Sequence, residues 1–177
     1  TAVLIARDNE VLGLIAIADT IKPDAKEAVS TLKRMNIKTV LLTGDNRAAA
    51  EYIGAAVGVD EIVAEVLPTE KAEVVKRYQE KGSTVMMVGD GINDAPALVQ
   101  ADVGCAVGSG SDIAIDSADI VLMKPELMDV VRAVKLSRLT IRNIKQNLFW
   151  AFIYNILGVP VAAGVLFTYL GAEGSAP

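Results

Sequence analysis

The chain has 177 residues, enough for one ordinary domain and a smaller appended segment. Its net charge of −5 argues against a nucleic-acid partner, and the lack of histidine removes the commonest general base and metal ligand. Cys105 is the single cysteine, which excludes a disulfide within the chain and indicates a reducing compartment.

Strand-like and helix-like patterns alternate through most of the chain. Short apolar runs predict strands at residues 11–18, 39–42, 62–67, 85–88, 103–107 and 120–123. Helical spacing of apolar residues predicts helices at residues 24–35, 47–57, 70–81 and 95–100. Fully apolar strands that alternate with helices predict an α/β fold, a parallel sheet with helices on both faces.

The C-terminal third has a different pattern. Residues 126–147 predict a long amphipathic helix that continues into residues 148–170, a run of 23 without a charged side chain. Such a helix is about 34 Å long, enough to cross a hydrocarbon core of about 30 Å. The cations just before it place the α/β part in the cytoplasm: Arg132, Lys135, Arg138, Arg142 and Lys145. The alternative is a buried core helix of a soluble protein.

Polar clusters follow the predicted strands, where open α/β sheets bind ligands. Thr43, Gly44 and Asp45 follow one strand and offer a hydroxyl and backbone N–H groups to a phosphate oxygen. Lys71, at the start of a helix, offers a charge that would neutralise a phosphoryl group. Each has a structural alternative: a turn for the first cluster and a solvated helix lysine for Lys71.

A third cluster, Gly-Asp-Gly-Ile-Asn-Asp, occupies residues 89–94. Asp90 and Asp94 lie four residues apart across a glycine turn, so their carboxylates can converge on one cation. Mg²⁺ favours one or two carboxylates together with water and phosphate oxygens. The structural alternative is that the two are merely turn and helix-capping residues.

Three motifs carry a family resemblance: LLTGDN at 41–46, VLPTEK at 66–71 and VGDGINDAPAL at 88–98. They resemble the phosphorylation domain of P-type ATPases, a branch of the haloacid dehalogenase superfamily. The likeness covers nearly the whole chain and implies a Rossmann-like sheet. It also implies a division of the chain into five segments. Residues 1–18 would be the end of a nucleotide-binding domain with its hinge, and residues 19–127 a phosphorylation domain. A connecting helix (128–147), a transmembrane helix (148–170) and a tail (171–177) would follow.

The resemblance also implies roles for the polar clusters. Asp90 and Asp94 would hold Mg²⁺, and Lys71, Thr43 and Asp90 would be the catalytic residues, with ATP as substrate. Thr43 and Gly44 would bind the phosphoryl oxygens, and Lys71 would neutralise the phosphoryl group. Asp45 and Asn93 would support this phosphate-binding site.

Several parts of the family's pattern are absent from this sequence. It has no Asp-Lys-Thr-Gly-Thr motif, whose aspartate is the family's nucleophile, and no Thr-Gly-Glu loop, His-Pro motif or Cys-Pro-Cys motif. The chain begins without methionine inside an apolar run, as is typical of a fragment. We therefore expect part of the phosphorylation domain without its nucleophile strand, inactive on its own.

Tyr154 and Asn155 interrupt the apolar run, and polar groups at membrane depth mark an ion path or a packing bond. The pair resembles the ligands of copper-transporting members, which implies export of Cu(I) or Ag(I). Zinc and cadmium, whose pumps carry a lysine in this helix, are the alternative ions. The implied partners are the lipid bilayer, the rest of the pump and a copper chaperone.

Two other functions remain open at this point. One is a soluble phosphatase of the same superfamily, which the apolar run and the missing nucleophile both oppose. The other is a membrane-tethered module that binds Mg²⁺ or phosphate without catalysis and regulates a partner.

Overall fold

The structure is a computed structural model that describes residues 2–8, 10–16, 20–89, 92–108 and 115–164. It divides into two compact units, Thr1–Val131 and Arg132–Pro177. The first unit contains the strands and the short helices. The second contains most of one long helix.

The first unit begins with an antiparallel hairpin. Strand β1, Ala2–Arg7, pairs with β2, Glu10–Ala16, through a turn in which Asp8 has a φ of 50°. The strand predicted at residues 11–18 therefore begins one residue earlier, and residues 17 and 18 lie outside the described residues.

In the described part of the chain, five parallel strands follow: β3 Val40–Leu42, β4 Glu61–Val63, β5 Met86–Gly89, β6 Val103–Val107 and β7 Ile120–Leu122. The prediction of parallel strands is confirmed, and within the described residues these strands are hydrogen-bonded in two groups rather than in one continuous sheet. Strands β3 and β4 form one sheet, and β5, β6 and β7 form another in that order. Strand β4 also ends before the predicted residue 67, because Glu65 adopts a φ of 61° that a strand does not permit.

Among the helices that lie wholly within the described residues, four short ones connect strands: α1 Ala25–Arg34, α2 Arg47–Val57, α3 Lys71–Glu80 and α4 Ala95–Gln100. Helix α2 begins where the Asn46 side chain accepts a bond from the backbone N–H of Ala49, at 2.9 Å. It ends at Gly58, whose φ of 85° is the left-handed conformation common after helices. The 3₁₀ turns Pro68–Glu70 and Ile92–Asp94 precede α3 and α4.

Two apolar clusters form the core of this unit. In one, Val75 and Leu98 from α3 and α4 pack on Met87 of β5, and Leu42 at the end of β3 packs against the same cluster. The two parallel sheets therefore share a core although their strands are not hydrogen-bonded to each other. The other cluster contains Cys105, which is fully buried, and burial raises the pKa of its thiol to about 11.

Carboxylates at the amino ends of three strands have a structural role. They accept bonds from backbone N–H groups: Asp60 from Thr39, Asp102 from Val85 and Asp119 from Gly104, at 2.7–2.8 Å. Asp60 also pairs with Lys33 at 2.8 Å, and these contacts lower the pKa of Asp60 to about 2, the hydrogen bond from Lys33 contributing most. These acids hold the amino edge of the strands, opposite the edge expected to carry chemistry.

The long helix α5 spans Leu127–Ala162 without a break, which confirms that the amphipathic segment continues into the apolar run. The prediction of a transmembrane helix at residues 148–170 is not supported. Within the part of the chain that the structure describes, no helix is both long and apolar enough to cross a membrane. Only residues 148–162 of the predicted span lie in α5, about 22 Å at 1.5 Å per residue, and residues 165–170 lie outside the described residues.

Candidate functional site

The centre of the candidate site is an ion pair between Lys71 and Asp94. The Lys71 ammonium donates to Oδ1 of Asp94 at 2.6 Å, and the two side chains are only 14% and 13% exposed. The interpretation of Lys71 as a solvated helix lysine is therefore wrong. Asp94 lies at the first position before α4 but makes no side-chain capping bond, so the capping interpretation is also wrong.

Local structure fixes both partners. The 3₁₀ turn before α3 is held by Glu70, whose carboxylate accepts from the Leu67 backbone N–H at 3.0 Å, and Lys71 is the next residue. Asp94 ends the 3₁₀ turn that follows strand β5. The two turns lie next to each other, which brings the first residue of α3 and the residue before α4 together.

Gly89 makes room for the Asp94 carboxylate. A Cβ atom at Gly89 would lie 2.7 Å from Oδ2 of Asp94 and 2.8 Å from its Cβ, closer than non-bonded atoms approach. Because Gly89 is the last residue of β5, Asp94 folds back over the carboxyl end of that strand. Only glycine permits this position.

Gly89→Ala is expected to destabilise the chain by about 1–3 kcal/mol, because the added methyl group displaces Asp94 from Lys71. Urea unfolding of the chain measures this difference. Gly13→Ala is the matched control, since a Cβ there meets nothing within 4 Å. Equal unfolding midpoints for the two variants would contradict the close fit.

Thr43 and Asp45 form a second small network at the end of β3. The Thr43 hydroxyl donates to Oδ2 of Asp45 at 2.9 Å and accepts from the Asp45 backbone N–H at 3.1 Å. A hydroxyl has one proton, so Thr43 can donate to a phosphate oxygen only when it rotates away from Asp45. Asp45 and Gly44 are exposed, and Thr43 is partly exposed.

The loop after β4 supports this network. The Glu65 backbone N–H donates to the Asp45 carbonyl at 2.9 Å, and the Glu65 carboxylate accepts from the Arg47 backbone N–H at 3.3 Å. A Cβ at Gly44 would come within 3.2 Å of the Val66 carbonyl oxygen, so the two loops approach closely there.

The structure thus joins the predicted site residues in two groups. Lys71 contacts Asp94, and Thr43 contacts Asp45, whereas Asn93 is exposed in the turn between β5 and α4. Asp90 lies outside the described residues. No group of three or more acidic, cysteine or histidine side chains that could hold a metal occurs among the residues that are described.

The predicted copper ligands lie on α5 in the second unit. Tyr154 is 77% exposed. The Asn155 amide nitrogen donates to the Ala151 carbonyl at 2.9 Å, one helical turn earlier, so its amide oxygen remains as an acceptor. Adjacent residues point about 100° apart on a helix, so an ion bound by both would lie between their directions.

Comparison with known proteins establishes the family. The sequence model of the family of haloacid dehalogenase-like hydrolases matches residues 1–102, more than half of the chain. The chain belongs to the haloacid dehalogenase-like hydrolases. The α/β fold expected from the alternation of apolar strands with helices is therefore confirmed, with its parallel strands and helices.

The relatives of this haloacid dehalogenase-like chain include P-type ATPases. It is 52% identical over 99% of its length to a copper-exporting P-type ATPase of Staphylococcus epidermidis, and 56% identical over 97% to a probable copper-exporting P-type ATPase of Archaeoglobus fulgidus. A zinc-transporting PIB-type ATPase, crystallised in the E2·Pi state, superimposes with a TM-score of 0.76 at 40% identity over 98% of the chain. These relatives confirm the resemblance to heavy-metal P-type ATPases. The chain spans about a fifth of the two copper relatives (22% and 21%) and 27% of the zinc-transporting protein.

Sequence reasoning missed three supporting residues of the candidate site: Gly89, Glu65 and Glu70. Gly89 was visible only as part of its motif. Glu65 carries no sequence signal, because a glutamate with positive φ is uncommon. Glu70 did carry one, since an acidic residue three positions after the start of a turn commonly accepts from the backbone there.

Proposed function

We propose that this chain is the phosphoryl-handling part of an ATP-driven heavy-metal pump that exports Cu(I), or Ag(I), through an aspartyl-phosphate intermediate. The observation that carries this proposal is the Lys71–Asp94 ion pair at the carboxyl end of β5, made possible by Gly89. The family, whose members are hydrolases, and the copper-exporting relatives support it.

The ion pair offers complementary charges to a phosphate and a cation that bind together. Lys71 would neutralise phosphoryl oxygens, and Asp94 would hold the cation that accompanies them. Before binding, Lys71 and Asp94 neutralise each other. After binding, the phosphate would neutralise Lys71 and the cation would neutralise Asp94, so that neither side chain would be left with an unbalanced charge. Stabilising charge in the transition state is the main task of a protein in phosphoryl transfer.

The oxygen donors at this site fit Mg²⁺. One Asp94 oxygen, Oδ1, is bonded to Lys71, while Oδ2 lies over the end of β5, directly before Asp90 in the chain. We assign Asp90 and Asp94 as the protein ligands, a set that suits Mg²⁺ because this ion retains water and phosphate oxygens. When bound, Mg²⁺ supplies positive charge beside the transferring phosphoryl group.

The loop after β3 would bind the phosphoryl oxygens. Thr43 would donate its hydroxyl proton and Gly44 its backbone N–H, a common mode of anion binding beside a helix start. To do so, the Thr43 hydroxyl proton would turn away from the Asp45 carboxylate, while the Asp45 backbone N–H would still donate to the hydroxyl oxygen. Asn93, exposed in the turn after β5, would support the same site with its amide.

The nucleophilic aspartate would come from another part of the pump, on a strand between β3 and β5. Those two strands pack against one apolar cluster through Leu42 and Met87 but are not paired with each other. A strand there would join the two parallel sheets into one. With that strand restored, residues 1–18 would be the end of a nucleotide-binding domain and residues 19–127 would belong to the phosphorylation domain.

Copper is the favoured ion, and zinc or cadmium is the second candidate. Identities of 52% and 56% to copper-exporting relatives exceed the 40% identity to the zinc-transporting structure. Tyr154 and Asn155 would contribute oxygen ligands to the transported ion, and no lysine follows Lys145 in α5. The proposed partners are the remaining parts of the pump, a copper chaperone and the bilayer, which the apolar end of α5 would enter.

Restoring the rest of the pump tests this proposal. Co-expression of the chain with the upstream region of a copper-exporting relative is expected to give copper-stimulated phosphorylation from ATP, whereas neither part alone gives any. The physical reason is that the nucleophilic aspartate would lie in the upstream region, whereas the Lys71–Asp94 pair lies in this chain. Radiolabelled phosphate on the protein is the measurement.

Zinc in place of copper is the control for the transported ion. Stimulation by zinc and not by copper would transfer the proposal to the second candidate ion. A combined protein that binds Mg²⁺ but forms no phosphoenzyme with either metal would contradict the pump function and favour the non-catalytic module.

A further inference from the structure

The cations of helix α5 form a stripe along one side. They are spaced three or four residues apart, all are exposed, and we call them the basic stripe: Arg132, Lys135, Arg138, Arg142 and Lys145. Residues at these spacings lie above one another on a helix surface. The stripe ends abruptly, because no charged residue follows Lys145 before the helix ends at Ala162.

A shallow groove runs along the last part of the basic stripe. Its lining combines three cations and an amide with two large apolar side chains: Arg138, Arg142, Lys145, Gln146, Ile141 and Phe149. This composition suits a ligand with an anionic end and an apolar end. A small inorganic anion would leave Ile141 and Phe149 without a contact.

The sequence of side chains along the helix matches a water–lipid boundary. Beyond Lys145 the exposed side chains are mostly apolar and include Phe149, Trp150 and Phe152. Aromatic residues concentrate at the headgroup level of membranes, and lysine and arginine concentrate on the cytoplasmic side of it. The groove lies where these two groups of residues meet.

We propose that Arg138, Arg142 and Lys145 bind the phosphates of anionic phospholipid headgroups, while Ile141 and Phe149 contact the start of the acyl chains. The charges are complementary, since each anionic lipid of the cytoplasmic leaflet brings a negative headgroup to the cations. This inference rests on the proposed function in one respect, that the apolar end of α5 enters the bilayer.

Flotation of the chain with lipid vesicles tests this binding. The wild-type chain is expected to prefer vesicles of equimolar phosphatidylcholine and phosphatidylglycerol over pure phosphatidylcholine. The double variant Arg142→Ala with Lys145→Ala is expected to bind the mixed vesicles about 30-fold more weakly, at about 1 kcal/mol for each cation near the surface. Its binding to pure phosphatidylcholine should be unchanged.

Two further variants separate the stripe from net charge and from misfolding. Lys26→Ala with Lys76→Ala removes two exposed cations from the first unit, and it should keep the preference for the mixed vesicles. Arg142→Lys with Lys145→Arg retains both charges and should keep it too. Loss of the preference in the Lys26/Lys76 variant would overturn the assignment to the stripe.

The outcomes for the wild-type chain separate this inference from the proposed function. Equal binding to both kinds of vesicle would overturn the headgroup site and leave the bilayer as a partner. Binding to neither would contradict both. Release from mixed vesicles by inorganic phosphate, at an ionic strength matched with chloride, would show a site for free anions and overturn the lipid assignment.

Discussion

In the proposed intact pump, Asp94→Asn is expected to lower Mg²⁺-dependent phosphorylation by about 100- to 1,000-fold, the usual cost of one preorganised charge contact in a transition state. The variant keeps the shape of the side chain but loses the charge that would hold the cation. Lys71→Ala should have an effect of similar size, because its ammonium would face the phosphoryl group. Asp90→Ala should abolish phosphorylation altogether. Single-turnover phosphorylation from ATP measures all three.

The controls for this result lie on the same helix as Lys71. Lys76→Ala and Glu73→Gln each change one exposed charge of α3, and both should phosphorylate at the wild-type rate. Equal phosphorylation rates for Lys71→Ala and Lys76→Ala would show that Lys71 has only a structural role. Phosphoenzyme formed by Asp90→Ala at ordinary Mg²⁺ concentrations would show that the metal assignment is wrong.

Stability of the chain alone distinguishes a functional effect from a folding effect. Asp94→Asn should cost about 1.5–3 kcal/mol, because it removes a charged hydrogen bond and leaves the Lys71 ammonium largely buried. Lys71→Met should lower the free energy of unfolding less in the Asp94→Asn variant than in the wild-type chain, because the two residues act as a pair. If the double variant recovers stability but not phosphorylation, the pair acts in catalysis as well as in folding.

The helices of the first unit were predicted closely from the sequence because the residues that begin and end them act locally. Asn46 and Gly58 are the residues that begin and end α2, and both signals are readable in the chain. Pro96 similarly fits the first turn of α4. Each of these boundaries depends on the conformation of one or two neighbouring residues, so distant parts of the fold do not alter it.

The division of the strands into two sheets could not be predicted in the same way. Pairing depends on which strand lies beside which, and apolar runs such as 39–42 and 85–88 look alike from the sequence. The structure pairs the first with β4 and the second with β6. Hydrogen bonding between strands far apart in sequence is a tertiary property.

The site was predictable in its members but not in its contacts. Spacing identified Lys71 and Asp94 separately, yet a direct 2.6 Å bond between them depends on two turns meeting in space. The close fit of Gly89 was hidden for the same reason, since its neighbour is five residues away in the chain but in contact in the fold. Roles in phosphate and metal binding remain predictions for all of these residues.

Replacing Asn155 by alanine is expected to raise the copper concentration for half-maximal stimulation of the intact pump by at least about 10-fold, as losses around metal sites do. Its amide oxygen would be lost as a ligand. The Ala151 bond would be lost too, but a single exposed bond contributes little to folding. Tyr154→Phe removes only the phenolic oxygen and should have a similar effect. Copper-dependent ATP hydrolysis is the measurement.

Packing between helices makes the opposite prediction for Tyr154 and Asn155. If these side chains only pack, both variants should unfold more readily in detergent while copper activation remains unchanged. Asn147→Ala, an exposed amide on the same helix, is the control and should alter neither quantity. Cu(I) prefers soft sulfur ligands, so the two oxygens would complete a site whose thiolates come from another helix of the pump. A pair of variants with normal copper activation would therefore contradict the ligand assignment, whatever their stability.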